Sequence, residues 1–145
     1  MKIDLHAVGR LRKGPEKVLV DDYLDRFAKA GRGLGLPPVR VHEAGDDAAM
    51  ARALPAGAVL VALDERGATL SSPDLARRLA GWRDDARDVA FAIGGADGHG
   101  AVRDRADLLL SFGPMVWPHM LARVMLCEQL YRAASILAGS PYHRD

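Results

Sequence analysis

The run AVLVAL, residues 58–63, contains no polar residue and has the length of one β-strand. Continuous apolar strands of this kind are typical of a parallel sheet whose two faces are both covered by helices. A second such run, VAFAI, occupies residues 89–93. Together the two runs predict an α/β fold with a mostly parallel sheet and helices on both faces.

Strand and helix patterns alternate on either side of these runs. Further strands are predicted at residues 2–8, 39–43 and 108–112. Helices are predicted at residues 16–30, 46–54, 101–106 and 120–138, with one more beginning at Ser72, whose hydroxyl is a capping group followed by Pro73. Residues 64–70 are expected to form a loop. No repeat or linker divides the chain, so we expect a single domain over residues 1–145.

Composition limits the classes of function. The chain has 145 residues, a net charge of +1 and 49% hydrophobic residues, which is typical of a globular domain. No apolar run approaches the ~20 residues of a membrane helix, and no signal peptide pattern is present, so we expect a cytoplasmic protein without membrane contact. The single cysteine, Cys127, excludes an internal disulfide and is expected to be inert core.

The strand ends predict where a ligand would bind. Three buried strands are followed by chain segments beginning near Leu63, Gly94 and Phe112, and these segments converge if the strands are neighbours. The glycine-rich segment at 94–100 lacks both the G-x-G-x-x-G spacing and the Lys-Ser/Thr of a P-loop, which disfavours a dinucleotide or nucleoside triphosphate site. Residues 112–117 (FGPMVW) are unusually apolar for a loop; they line a pocket for a flat aromatic ligand, contact a partner, or pack into the core.

The last predicted helix and the tail contain the remaining candidate groups. Glu128 and Arg132 are four residues apart, a spacing that usually gives a solvated ion pair. Apolar residues cover more than one stripe of this helix, which suggests burial on two sides and favours a dimer. Tyr142, His143 and Arg144 are expected to be disordered by default. Alternatively, their side chains could stack on a base, transfer a proton and hold a phosphate.

Histidine spacing argues against a metal site. No two histidines have a spacing such as H-x-x-x-H, so the sequence predicts no bound metal. The five histidines are His6, His42, His99, His119 and His143.

Five segments together show a specific resemblance. They are MKIDLHAVGRL (1–11), VALDERG (61–67), FAIGGADG (91–98), WPHMLARVMLCEQLYRA (117–133) and PYHRD (141–145). With these segments the chain resembles the RlmH family, bacterial SPOUT-class methyltransferases that modify a pseudouridine of large-subunit ribosomal RNA. The resemblance implies a deep C-terminal trefoil knot, a homodimer, and methylation at N3 of a pseudouridine in helix 69 of 23S rRNA on assembled ribosomes.

The resemblance also implies roles for individual residues. Contacts to S-adenosylmethionine would come from Leu63, Gly94, Phe112, Gly113, Pro114, Met115, Val116 and Trp117. In the reaction, His143 would be the base, because an imidazole ordinarily titrates near pH 6.5. Arg132 and Arg144 would hold phosphate or the imide anion, Tyr142 would stack on the flipped base, and Glu128 would orient Arg132. No metal would be required.

Two other functions remain compatible with the sequence. One is a SPOUT-like methyltransferase that acts on another RNA such as tRNA, and the other is a non-catalytic ribosome-binding module. A basic segment with Arg10, Arg12 and Lys13 gives any RNA partner a surface near the first strand.

Overall fold

Five parallel strands form one sheet in the order β2-β1-β4-β3-β5. The computed structural model describes residues 1–95 and 100–144. The predicted α/β fold with a parallel sheet is therefore confirmed, whereas the trefoil knot stays a prediction. The strands are β1 (Ile3–Val8), β2 (Val39–Ala44), β3 (Val59–Ala68), β4 (Val89–Ile93) and β5 (Leu108–Leu110).

Helices cover both faces of the sheet. They are α1 (Pro15–Gly31), α2 (Asp47–Ala53), α3 (Ser72–Asp84), α4 (Ala101–Arg105) and α5 (His119–Leu137). On one face α1, α3 and α5 bury the larger core, around Phe27, Phe91 and Leu130. On the other face α2 and α4 cover a smaller core in which Met50 and Val102 meet alanines of the sheet. In the described part of the chain no helix is long and apolar enough to cross a membrane.

The helix α5 packs between α1 and α3. Most of its apolar side chains are therefore covered within the chain, whereas Leu121 is exposed. Cys127 lies in this helix and is buried, and burial raises the pKa of its thiol to about 12. A thiol held in the protonated form is unreactive, which agrees with the expected inert core position.

Three sequence-based boundaries were wrong. The strand β3 continues through residues 64–68, which were expected to form a loop, because Ala68 re-joins Leu110 after a bulge. The strand β5 ends at Leu110, two residues before the predicted end at residue 112. The cap of α3 is Ser71, whose Oγ accepts from the Asp74 N–H at 3.1 Å, whereas the Ser72 hydroxyl donates to Gln129 at 2.7 Å.

Gly67 marks a close crossing of β3 and β5. A Cβ atom there would lie 2.5 Å from the Leu109 carbonyl oxygen, a distance that real Cβ atoms do not adopt. We predict that Gly67→Ala lowers the free energy of unfolding by about 2–3 kcal/mol, because the backbone of β5 has to shift. Urea denaturation checks this. Gly81→Ala is the matched control, because a Cβ at that helical position meets no atom within 4 Å; it should be neutral or stabilising.

Candidate functional site

A cavity of about 780 Å³ opens at the carboxyl ends of β3, β4 and β5. The convergence of the three segments, which was inferred from the sequence, is thus observed in the described residues. The lining includes most of the residues that the sequence assigned to a cofactor: Leu63, Gly94, Phe112, Gly113, Met115, Val116 and Trp117. Pro114 belongs to the same segment but is not among the described lining residues. The part of the glycine-rich segment at 96–99 lies outside the described residues.

The apolar segment at 112–117 forms the rim of this cavity. Met115 is 72% exposed and Val116 80% exposed, so the alternative of simple core packing is excluded for these two side chains. Ser111 holds the segment in place: its Oγ accepts the Gly113 N–H at 3.0 Å and donates to the Glu65 carbonyl at 3.1 Å. The Ser111 hydroxyl therefore links the segment that follows β5 to the C-terminal half of β3 by hydrogen bonds.

A charged pair lines the cavity beside the apolar rim. Asp64 Oδ2 accepts from Arg103 Nε at 2.8 Å, and Asp64 Oδ1 accepts the Arg66 N–H at 2.8 Å. Burial raises the pKa of this carboxyl, but the two hydrogen bonds and the neighbouring guanidinium groups together lower it by more. The pKa of Asp64 therefore lies below its usual value. Asp64 is therefore an ionised, oriented carboxylate. The sequence analysis missed both partners, although Asp64 directly follows the buried run of β3.

The start of the glycine-rich segment is fixed by a carboxylate from α2. The Gly95 N–H donates to Asp47 Oδ1 at 3.1 Å. A Cβ at Gly95 would lie 3.2 Å from Val8 Cγ1 and 3.3 Å from Asp47 Oδ2, so a larger residue would require these neighbours to shift by a few tenths of an ångström. The backbone at 94–95 is consequently held against the cavity wall.

A second cluster joins the tail to α5. Arg132 contacts Glu128 Oε1 through Nε at 2.8 Å, and Tyr142 OH donates to the same oxygen at 3.2 Å. Arg132 also lies 4.8 Å from the Tyr142 ring centre and 3.2 Å from His143 Nδ1. The default expectation of a disordered tail was wrong for residues 142–144, because Tyr142 packs on Tyr131 and on this ion pair. Arg144 is exposed.

The hydrogen-bond pattern of this cluster sets the protonation of its members. Burial and the Glu128 carboxylate raise the pKa of Tyr142 to about 12, so the phenol stays protonated. The hydrogen bond from Arg132 to Glu128 raises the pKa of that guanidinium. Since an arginine can only donate, His143 Nδ1 is the acceptor of the Arg132 contact, and a neutral ring carries its proton on Nε2.

The two groups of residues are adjacent but separate. The tail cluster does not contribute to the lining of the large cavity within the described residues. A smaller cavity of about 200 Å³ lies between them and is lined by Tyr23, Phe112 and Glu128 among others. Phe112 lines both cavities, and Glu128 of the tail cluster lines the smaller one, so the predicted cofactor residues and the predicted catalytic residues border neighbouring cavities.

Two further features surround the site. His119, at the start of α5, lines the large cavity and lies close to Gly9, where a Cβ would be 3.8 Å from its Nε2. The basic residues Arg10, Arg12 and Lys13 follow Gly9 and are exposed. A positive, solvent-accessible segment therefore begins next to the mouth of the cavity.

Comparisons with known proteins found a matching family model and similar chains. Residues 1–143 match the family model described as "Predicted SPOUT methyltransferase". A protein of Paracoccus denitrificans named ribosomal RNA large subunit methyltransferase H is 63% identical, with 100% of each chain covered. A protein of the same name from Cereibacter sphaeroides is 64% identical, with 99% of each chain covered. Among solved structures, the SpoU methyltransferase AviRb from Streptomyces viridochromogenes in complex with AdoMet matches with a TM-score of 0.43 and 15% identity, over 90% of this chain and 57% of that one.

Proposed function

Because this chain belongs to the RlmH family of SPOUT methyltransferases, we propose that it is an S-adenosylmethionine-dependent methyltransferase of 23S rRNA. We further propose that its acceptor is N3 of a pseudouridine in helix 69, on assembled ribosomes. The observation that supports this most is that the large cavity at the strand ends and a smaller cavity beside the polar tail cluster share Phe112 as a lining residue. A ribosomal substrate would place the enzyme in the cytoplasm.

The large cavity fits S-adenosylmethionine in size and chemistry. Its volume lies within the range of small-molecule sites, and its apolar rim offers Leu63, Phe112 and Trp117 to a flat purine. Gly94 lines the cavity, where its backbone can form hydrogen bonds to the base edge. The Asp64 carboxylate is paired with Arg103, and its oriented oxygens can accept hydrogen bonds from the ligand. When bound, this cofactor supplies an electrophilic methyl group, so the protein needs only to align and deprotonate the acceptor.

The tail cluster has the groups that such an acceptor requires. The imide N3–H of a pseudouridine is a weak acid and has to lose its proton before it can attack a methyl group. We assign His143 as the base and Arg132 as the group that stabilises the imide anion. In the structure, Arg132 donates a hydrogen bond to His143 Nδ1, so this nitrogen is not available as a base. An anionic substrate that draws the guanidinium away would free this nitrogen to accept a proton.

The remaining tail residues position the acceptor. Tyr142 offers its ring for stacking on a flipped-out base, a contact worth about 1–3 kcal/mol in single-stranded recognition. Glu128 orients both Arg132 and Tyr142, because one carboxylate oxygen accepts from each of them. Arg144 is exposed and is assigned to a backbone phosphate, together with the basic segment that contains Arg12 and Lys13.

We propose that the enzyme acts as a homodimer. Met115 and Val116 project into solvent at the cavity rim, and Leu121 at the start of α5 is 41% exposed. Apolar side chains grouped near a site mouth are typical of a surface that a partner covers. In a dimer the tail of one subunit could complete the cavity of the other, which would account for the position of the tail cluster outside the large cavity of its own chain.

The proposal is tested with labelled methyl groups. The enzyme is incubated with S-adenosylmethionine carrying a radioactive methyl group and with ribosomes that lack the modification, and the labelled nucleotide is then mapped. We expect one label per ribosome, at a pseudouridine of helix 69. Free 23S rRNA should be a much poorer acceptor, because a small, nearly neutral protein offers few phosphate contacts.

The same experiment contains outcomes that would contradict the proposal. Label in tRNA but not in ribosomes would indicate a SPOUT-like enzyme with another RNA substrate. Absence of label, together with no rise in melting temperature on addition of S-adenosylmethionine, would indicate a non-catalytic ribosome-binding module. Binding of the cofactor stabilises the folded state by mass action, so the thermal measurement reports on the cavity independently of the RNA.

A further inference from the structure

Strand pairing places a polar cluster on the sheet, away from the cavity. The strands β1 and β2 pair in parallel with Asp4 opposite Arg40 and His6 opposite His42. These four side chains consequently share one face, the face that α2 covers. Asp4 and His6 are buried, with 3% of each residue exposed, whereas the His42 side chain is 44% exposed at the edge strand.

One nitrogen of this cluster has no hydrogen-bond partner. His6 Nε2 is buried and unpaired among the described residues. A buried polar atom without a partner costs free energy, about 1–3 kcal/mol, and calls for an explanation. The neighbours of β1 on the other side, at Ala90 and Ala92 of β4, bear only methyl groups and cannot supply one.

The three side chains form a compact set of donors. One ligand atom each from Asp4, His6 and His42 lies within 4.8 Å of the other two. The two imidazole rings are stacked, with centroids 4.5 Å apart, and His42 Nε2 is 3.1 Å from Asp4 Oδ1. Two imidazoles and one carboxylate are a common catalytic zinc ligand set, with a fourth position left for water.

We propose that Asp4, His6 and His42 form a binding site for a divalent transition-metal ion, best matched by Zn²⁺. The ion would accept the lone pair of His6 Nε2 and would link the edge strand β2 to the central strand β1. Ligand atoms in a tetrahedral zinc site are about 3.3 Å apart, so the set closes only if a ring turns out of the His6–His42 stack. The His42 side chain, which is 44% exposed, has room to make this rotation.

Arg40 competes with the ion for the carboxylate. Its Nε lies 2.8 Å from Asp4 Oδ1 and its Nη2 3.2 Å from Oδ2, so both carboxylate oxygens are engaged in the absence of metal. The Arg40 side chain is 55% exposed and can swing into solvent. The proposal therefore predicts an unusual result: removing this arginine should strengthen metal binding, because it removes a competing cation.

The test is a calorimetric titration of the chelator-treated full chain with ZnCl₂. We expect one ion per chain, at least tenfold weaker binding in His42→Ala, and about tenfold tighter binding in Arg40→Ala. His42→Ala is preferred to His6→Ala because His42 is exposed and its loss leaves the core intact. His119→Ala is the matched control and should bind as the unaltered protein does, since this histidine lines the large cavity.

A second measurement identifies the ligands. Co²⁺ in a four-coordinate site with histidine ligands gives visible absorption bands, which His42→Ala should abolish and His119→Ala should retain. The proposal is wrong if neither the unaltered protein nor Arg40→Ala binds a stoichiometric ion, or if His42→Ala binds as tightly as the unaltered protein. Neither outcome depends on methyl transfer, so the proposed enzymatic function is not at stake in this test.

Discussion

Replacing Glu43 by alanine is expected to lower the free energy of unfolding by about 3–4 kcal/mol. Glu43 Oε2 accepts from Arg123 Nη1 at 2.6 Å and from the Leu11 N–H at 2.6 Å. The Arg123 residue is only 1% exposed, and Glu43 is the one carboxylate within ion-pair distance of it among the described residues. Without that carboxylate a guanidinium charge stays buried and uncompensated, which is the costly way to break an ion pair.

Replacing the other partner of this ion pair, Arg123, is expected to lower the free energy of unfolding by less. In Arg123→Met the carboxylate of Glu43, whose side chain is 33% exposed, can be rehydrated, and the buried, unpaired Arg123 Nε is removed. The loss is then mainly the 3.0 Å hydrogen bond from Arg123 Nη2 to the Gly9 carbonyl. We expect a decrease of about 1–2 kcal/mol. Equal costs for the two variants would contradict this account of the asymmetry.

The pH dependence separates this pair from ordinary surface pairs. Burial raises the pKa of Glu43, but the hydrogen bonds from Arg123 and the Leu11 N–H together lower it by more. The pKa of Glu43 therefore lies below its usual value. A lowered folded-state pKa adds stability above the unfolded value, and this stability is lost as the pH falls through the folded value. The difference in the free energy of unfolding between the unaltered protein and Arg123→Met should therefore narrow as the pH falls below about 4.5.

A surface pair provides the control for these denaturation measurements. Lys17 and Asp21 form an ion pair on α1 at 2.8 Å, and their side chains are 46% and 62% exposed. Solvent screens such a pair, so Asp21→Ala should change the free energy of unfolding by less than about 0.5 kcal/mol. The comparison isolates burial as the cause, because both pairs join one acidic and one basic side chain at similar distances.

The sheet could be predicted from the sequence because its signals are local. The apolar runs at 58–63 and 89–93 are too short for buried helices and are typical of strands covered on both faces, and parallel pairing then brings the strand ends together. The extension of β3 to Ala68 could not be predicted, since residues 64–67 are polar and the pairing of Ala68 with Leu110 depends on a bulge. Periodicity reports which face is buried and does not report where a strand re-joins its neighbour.

The missed parts of the candidate site are all long-range contacts. Asp64 and Arg103 are 39 residues apart, and the carboxylate of Asp47 reaches Gly95 across 48 residues. Metal-ligand spacing along the chain does not reveal His6 and His42, because these residues become neighbours only through the register of β1 and β2. In contrast, the tail residues were identifiable by type, although their packing on α5 was not.

His143→Ala is expected to lower kcat by about 10²–10⁴-fold, the usual contribution of a positioned acid or base. The affinity for S-adenosylmethionine should change far less than kcat, because His143 lies outside the lining of the large cavity of its own chain in the described residues and is assigned to the acceptor. Single-turnover methyl transfer to ribosomes measures the rate, and thermal stabilisation by the cofactor measures the affinity. If His143 is a base, the rate of methyl transfer should fall at low pH, where the ring is protonated. This fall should be absent in His143→Ala.

His143→Gln distinguishes a base from a hydrogen-bond donor. Glutamine can donate through its amide N–H groups but cannot take up a proton at neutral pH, so a base requirement predicts that it is as slow as alanine. Near-normal turnover in His143→Gln would instead assign the ring as a donor to the imide anion, with Nδ1 still held by Arg132. The 3.2 Å contact between Arg132 and Nδ1 makes this the decisive comparison, because the base role requires that contact to break and the donor role requires it to persist.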